Sequence, residues 1–314
     1  MKAKNVRSVC KAKMREFLSH VEDEDVRKTI SENAIITGGA IASMLLGEKV
    51  HDFDVYFRTK DATASVARYF VKKFKENPPP RFTASMGKDK VAIYVSVLDD
   101  RVSTIVQSAG VASESSVDAE YKYFESQDPE SGDAAEYLET VAAVLNDAET
   151  ANKSKKEKKK RYRPVFLSRN AITLSDKVQL ITRFFGSPEQ IHVNYDFVHC
   201  MNYWTSWDNN LVLRPDAVEA LLARELRYVG SKYPLCSVIR TRKFIQRGWS
   251  VTAGQYLKMA MQLSDLDLHD IDVLEEQLTG VDAAYFHEVI DALKDRDAKR
   301  VDAAYLVELI DRIF

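Results

Sequence analysis

Apolar residues recur at helical spacing over residues 1–31. Val6, Val9, Met14 and Phe17 are separated by lysines and arginines, which predicts an amphipathic helical opening. Residues 34–37 (AIIT) read as a short strand ending at Gly38-Gly39. Ala40 to Leu46 reads as about two helical turns with Ile41, Met44 and Leu45 on one face, ended by Gly47. Val50 to Phe57 is expected as a strand and carries Asp-Phe-Asp at 52–54. From Ala62 to Glu76 the period is helical again, with Val66, Tyr69, Phe70 and Phe74 on one side, and Pro78-Pro79-Pro80 stops it. Lys90 to Leu98 (KVAIYVSVL) is β-branched and aromatic, as strands are. Val165–Leu167 and Lys177–Phe185 read as two further strands with a turn at Arg169-Asn170. Ser187-Pro188-Glu189 opens a short helix, and 194–204 (NYDFVHCMNYW) is β-like. After Asp208 the pattern is mostly helical, and Arg214-Pro215-Asp216 opens one helix. VDAAYFHEVIDAL at 281 and VDAAYLVELIDRI at 301 form a near repeat. Two units are too few for a solenoid, so they read as two similar amphipathic helices.

Between these regions the composition shifts. Residues 112–149 hold eleven acids and one base, and 153–163 (KSKKEKKKRYR) hold eight bases and one acid. Most of this block shows no core pattern, although Tyr137 to Leu145 suits a helix. Residues 101–163 are therefore expected to be a charged, partly disordered insertion. Its ordinary role is a solvated loop; the basic run would also touch a polyanion at low salt, without sequence selectivity.

The whole chain has 314 residues, enough for two domains, and a formal net charge of −2, so any basic surface is local. Cys10, Cys200 and Cys236 are far apart and form no CxxC, which argues against a disulfide framework or zinc module and fits a reducing cytosol. No apolar run approaches the roughly 18 residues of a membrane span, and the basic N-terminus lacks the apolar centre of a signal peptide. A cytoplasmic protein with no membrane partner is expected.

Asp52 and Asp54 raise the chemical question. Strands disfavour Asp, and alternation aims both carboxylates the same way, about 7 Å apart. Cations must offset their repulsion or else one would be protonated, and hard oxygen ligands suit Mg²⁺, which takes one or two carboxylates plus substrate phosphates. Upstream, Gly38-Gly39 opens a helix, where backbone N–H groups and the dipole favour a phosphate. Either feature alone is usually a turn or a surface element. Together they describe a place for a nucleoside triphosphate and its metals.

Two small residues, a short helix and then Dh[DE]h on a strand resemble the signature of the nucleotidyltransferase superfamily with the polymerase-β-like fold. Twelve residues separate Gly39 from Asp52, within that family's habit. The resemblance is close over about 35–57 and follows the order of elements over roughly 20–205. The general context also resembles viral or phage nucleotidyltransferase-like proteins, which would place the chain in a host cytoplasm. The resemblance implies an α/β (α+β) core with a mixed sheet at 1–205, followed by a helical domain at 206–314. It implies Mg²⁺ or Mn²⁺ on Asp52, Asp54 and a third carboxylate from a later neighbouring strand, with an NTP held at Gly38 and Gly39. Asp196, in YDFVH, is the chosen third acid; Asp99 and Asp100 are rivals that look more like a strand-ending turn. The implied reaction is transfer of a nucleoside monophosphate to a hydroxyl, of an RNA 3′ end, a protein or a small molecule. The competing class keeps the fold as an inactive binding or assembly component.

His51 and His199 read as polar edge residues, because imidazole suits zinc better than magnesium. Residues 224–258 interleave Arg224, Arg227, Lys232, Arg240, Arg242, Lys243, Arg247 and Lys258 with Tyr228, Tyr233, Phe244, Trp249 and Tyr256. Arginine forks bind phosphates and aromatics stack on bases, so this stretch and 153–163 are the candidate RNA contacts. The alternative is that Ile239, Phe244, Ile245 and Trp249 are core and the charges only solvate a face. No P-loop, nucleophile elbow, HExxH or kinase signature is present.

Overall fold

The computed structural model describes residues 2–77, 91–108, 111, 112, 161–270, 273, 274, 276, 277 and 307. Most of the acidic and basic block, the helix expected at 137–145 and the 281/301 repeat lie outside the described residues.

The N-terminal helical expectation resolves into α1 (Ala3–Ser19) and α2 (Glu24–Asn33), the latter capped by Asp23. The buried stripe of α1 is Val6, Cys10, Met14 and Phe17. Val9, expected in that stripe, is exposed, and Cys10 takes its place because i, i+4, i+8 and i+11 keep to one face. Strand β1 (Ala34–Thr37) runs into α3 (Gly39–Leu46), which Gly47 closes in the left-handed conformation. Strand β2 (Phe53–Phe57) is shorter than expected: its ladder with β1 begins at Asp54, so Asp52 lies one residue before the strand. Helix α4 (Lys60–Glu76) follows as expected.

Strands β3 (Val91–Val97) and β4 (Val102–Ser108) form a hairpin, extended by β5 (Val111–Ala112) into a small sheet. This corrects the expected start of the insertion at 101, because Val102–Ser108 pairs in full register with β3. Asp99 and Asp100 occupy the hairpin turn.

The main sheet has seven strands. Its later members are β6 (Pro164–Leu167), β7 (Ala171–Leu174), β8 (Val178–Phe185), β9 (Tyr203–Thr205) and β10 (Asn210–Val212), and its order is β10-β9-β1-β2-β8-β7-β6. Every pairing is antiparallel except β2 with β8, so the sheet is mixed, as expected. β7 was not foreseen. It turns into β8 through Asp176 and Lys177, both at positive φ, a turn that carries neither Gly nor Asn. The boundary expected at 205/206 falls inside the β9–β10 hairpin, so the sheet extends to Val212.

Three helices pack beyond it: α5 (Pro188–His192), α6 (Pro215–Ala223) and α7 (Pro234–Gln246), with α8 (Ala253–Ser264) against α7. Among the described residues no helix is long and apolar enough to cross a membrane. Alternation divides the sheet between two cores. Ala34, Ile36, Val55, Phe57, Leu174 and Leu180 face α1, α2 and α4, whereas Ile35, Tyr56 and Ile181 face Ile191, Tyr233 and Leu235 of the helical half. Asp54, in phase with Tyr56 and opposite Thr37, therefore belongs to the face turned toward the helical half.

The stripe assignment has a direct check. Cys10→Ser buries a hydroxyl in an apolar site and should cost about 1–3 kcal/mol by urea unfolding, whereas Val9→Ser on the exposed side should stay within about 0.5 kcal/mol.

Candidate functional site

Gly38 joins β1 to α3 with φ +92°, a conformation that L side chains avoid. Its N–H donates to the Cys200 carbonyl at 3.0 Å. A Cβ at this position would lie 2.8 Å from Asp54 Oδ2 and 3.5 Å from the Tyr195 hydroxyl. The Asp54 carboxylate therefore rests directly on the Gly38 backbone, as the antiparallel register Thr37 to Asp54 requires. Gly39 is exposed, and a Cβ there would meet nothing within 4 Å. The glycine pair and Asp54 are thus brought together at the mouth of α3, with Asp52 just ahead of the strand.

A buried polar layer supports this junction. The Thr37 hydroxyl donates to the Asn202 carbonyl at 3.0 Å and lies 2.9 Å from His192 Nε2. Asn202 Oδ1 accepts from the Arg214 N–H at 2.9 Å. Burial holds the His192 imidazole neutral, with a pKa lowered to about 4. The buried Tyr195 phenol is pushed well up, by desolvation first and then by the neighbouring Tyr56 and Asp54.

Asp196 behaves differently from the expectation. The stretch 194–204 is not a continuous strand: Asp196 sits in a bend, Phe197 makes one isolated bridge to Tyr228, and Val198–Cys200 is a 3₁₀ turn. Asp196 Oδ2 accepts from Arg240 Nη1 of α7 at 2.7 Å, and its Oδ1 accepts from the Phe197 N–H at 3.1 Å. The strand that flanks Asp54 on its other side is β8, and the residue in register there is Gln179, an amide. Among the described residues, no group of three or more His, Cys, Asp or Glu side chains could hold a metal ion. Asp52 and Asp54 fit a hard divalent cation that completes its shell with substrate phosphates. The expected trio with Asp196 does not assemble.

The helical half reaches the same region. Burial raises the Cys200 thiol, and after burial it feels the charges of Asp196, Asp54, Arg240 and Arg247. Glu48, in the loop that leads to Asp52, accepts from Arg247 at 2.7 Å and from Arg224 at 3.1 Å. Arg227 pairs with Glu219 and Glu225, and Arg161, at the end of the basic run, pairs with Glu16 and Asp176. Several cations of the two candidate RNA stretches are thus engaged within the chain. Of the aromatics, Tyr228, Tyr233 and Trp249 are buried, while Tyr256 and the would-be core residue Ile245 are exposed.

His199 is not an edge residue. It is buried among Phe197, Phe244 and Trp249, its ring 4.4 Å from that of Trp249, and burial lowers its pKa to about 4. His51 is half-buried and lowered as well, by burial and then by Arg247 and the nearby lysines. Thr37, Tyr195, Gln179 and Glu48 were not singled out from the sequence. Gln179 had a faint signal as the lone amide in KVQLITRFF.

A family model described as "Gabija anti-defense 2 family protein" matches residues 8–224, more than half of the chain. The chain belongs to that family. A curated relative, "Gabija anti-defense 2" from Bacillus phage SPbetaL7, is 22% identical over 139 residues, 44% of this chain and 33% of that protein. The match thus spans a third of the relative's length. Among solved structures, the Thermotoga maritima CCA-adding enzyme complexed with tRNA_CCA aligns at 10% identity and a TM-score of 0.37, over 90% of this chain and 54% of that one. The Bacillus stearothermophilus CCA-adding enzyme in complex with CTP aligns at 13% identity and a TM-score of 0.35, over 86% and 50%.

Two consequences can be measured. Gly38→Ala forces a side chain into a left-handed position against a carboxylate and should cost about 1–3 kcal/mol in chemical unfolding; Gly39→Ala should change stability by under about 0.5 kcal/mol. The histidines predict acid sensitivity. His192 and His199 stay neutral in the fold down to about pH 4, while the unfolded chain protonates them near 6.5. The unfolded state then binds more protons in that window, so stability falls as pH drops through it, by about 1.4 kcal/mol per pH unit for each ring. His199→Phe should remove about half of that slope, read by urea unfolding between pH 4.5 and 6.

Proposed function

We propose that this chain is a metal-dependent nucleotidyltransferase that a phage uses against the bacterial Gabija defence. One observation carries the reading: a positive-φ glycine at a strand end, followed at once by a helix N-terminus, lies in contact with the first carboxylate of the next strand. The first-turn N–H groups of α3 cradle the triphosphate, and Gly39 leaves room for its close approach. Asp52 and Asp54 would hold Mg²⁺ or Mn²⁺. When bound, the cation neutralises phosphate charge and eases departure of pyrophosphate. Asp54 is kept in place by close contact with the Gly38 backbone. The acceptor oxygen forms a bond to the α-phosphorus, the bond to the bridging oxygen of pyrophosphate breaks, and the hydroxyl proton passes to solvent. Arg240 of α7 and Arg247 at its C-cap would supply positive charge to the phosphates or to an acceptor by exchanging their partners Asp196 and Glu48 for them. The family name supports an acceptor that belongs to the defence system itself.

A second reading has an observation of its own. Asp196 is committed to Arg240 and the position beside Asp54 is Gln179, a donor set that suits a protein which binds nucleotide or a partner without turning it over.

Labelled nucleoside triphosphates, each in turn with Mg²⁺ or Mn²⁺, offered to RNA, protein and small molecules from defended cells, separate the two. Wild type should label one acceptor class. Asp52→Asn and Asp54→Asn should each lower the rate by on the order of 10²–10³ and lose anti-defence activity while remaining folded. A double mutant that still protects the phage without any transfer would establish the binding reading instead.

A further inference from the structure

The geometry points to a second site, for a phosphate-class anion, at the far end of β8. It is a cleft of about 250 Å³ lined by Asp100, Arg183, Phe184, Phe185, Asn194 and Lys232. Phe184 lies five residues beyond Gln179, the partner of Asp54, which is about 17 Å along the strand. The cleft is thus separate from the Gly38–Asp54 junction, and it stands independently of the chemistry proposed there.

Arg183 is 5% exposed, unusual for a guanidinium without a tight carboxylate partner. Such a group carries five N–H donors. The hydrogen bond Arg183 makes among the described residues goes to the Asp100 main-chain oxygen, at 3.1 Å. The Asp100 carboxylate stands off at 3.6 Å and is itself largely in solvent. The Arg183 guanidinium lies 5.2 Å from the Phe184 ring centroid, which fixes its plane. Lys232 approaches from the opposite wall, with Glu276 3.9 Å away. Burial lowers the Lys232 ammonium, and Arg183 is the first charge that adds to the effect. Arg101 lies 3.9 Å from Asp100 and contributes a third cation to the surroundings.

Three cations thus face two carboxylates, each held loosely. Like charges drawn toward one cleft are relieved by an anion between them. The Arg183 fork offers directed donors for tetrahedral oxyanions, the Asn194 amide, which donates to the Gln190 and Ile191 carbonyls, forms a polar wall, and Phe185 adds an apolar one. The volume lies below the usual range of 300–1,000 Å³ for whole ligands. It suits phosphate, pyrophosphate or a terminal phosphate group rather than a complete triphosphate nucleotide.

Inorganic phosphate, pyrophosphate and 5′-AMP would be titrated calorimetrically into the full chain with EDTA present, so that the metal-free carboxylates at 52 and 54 repel anions. Binding of at least one is expected. Phosphate or pyrophosphate binding without AMP identifies a free anion as ligand, and AMP binding identifies an esterified phosphate. Lys232→Gln should weaken it about tenfold and Lys232→Glu more, as loss of one charged hydrogen bond implies, while Asp54→Asn should leave it unchanged. Lys232 is exposed, so its variants fold even where Arg183→Gln does not. Absence of binding by all three anions, or full affinity in Lys232→Glu, overturns the assignment; so does loss of binding in Asp54→Asn.

Discussion

A single backbone conformation, the left-handed turn at Gly38, determines where the rest of the site lies. Any Cβ there would occupy the place of the Asp54 carboxylate. The strain a non-glycine residue would store is about 1–2 kcal/mol before the clash is counted. Because the Gly38 N–H is bonded to Cys200 and Thr37 reaches Asn202, the same turn pins the 3₁₀ segment and the start of β9. Three stretches far apart in sequence (34–39, 52–54 and 195–202) therefore share one point of contact, and the helical half is hung from it.

The attachment of that half is electrostatic as well as apolar. Asp196 with Arg240 of α7, and Glu48 with Arg224 and Arg247 at the C-caps of α6 and α7, join these helices to the loops on either side of the junction. Half-buried ion pairs of this kind contribute little net stability, since desolvation offsets much of the attraction. They do fix register and orientation. The same holds for the buried layer of Thr37, His192 and Asn202, where directed hydrogen bonds favour one arrangement over apolar alternatives of similar energy.

Much of this was legible in the sequence, because the signals were local. The GG-helix-DxD run is contiguous, and its helix and Gly47 stop appear where the periodicity puts them, although β2 starts only at Phe53 and leaves Asp52 outside the strand. The mixed sheet was an implication of the resemblance, and the mostly helical stretch after Asp208 followed from helix periods. What escaped had non-local causes. Asp196 looked like a ligand because aromatic and apolar residues bracket it, but whether a carboxylate meets a metal or an arginine depends on α7, more than forty residues away. Val9 and Cys10 compete for one face, and only the packing of α1 decides between them. β7 was hidden because Asp176 and Lys177 adopt a turn that their residue types do not advertise. His199 read as polar, but a neutral imidazole packs as a small aromatic when Phe244 and Trp249 surround it.

The two margins of the main sheet are built alike in one respect. β10 is three residues long and lies against α1, and β6 is four residues long and begins with Pro164, which lacks an N–H to donate. Short, covered or proline-headed margins do not accept an additional strand. Margins of this kind resist sheet-to-sheet aggregation. The main sheet thus offers a partner the side chains of its loops and helices rather than an edge to extend.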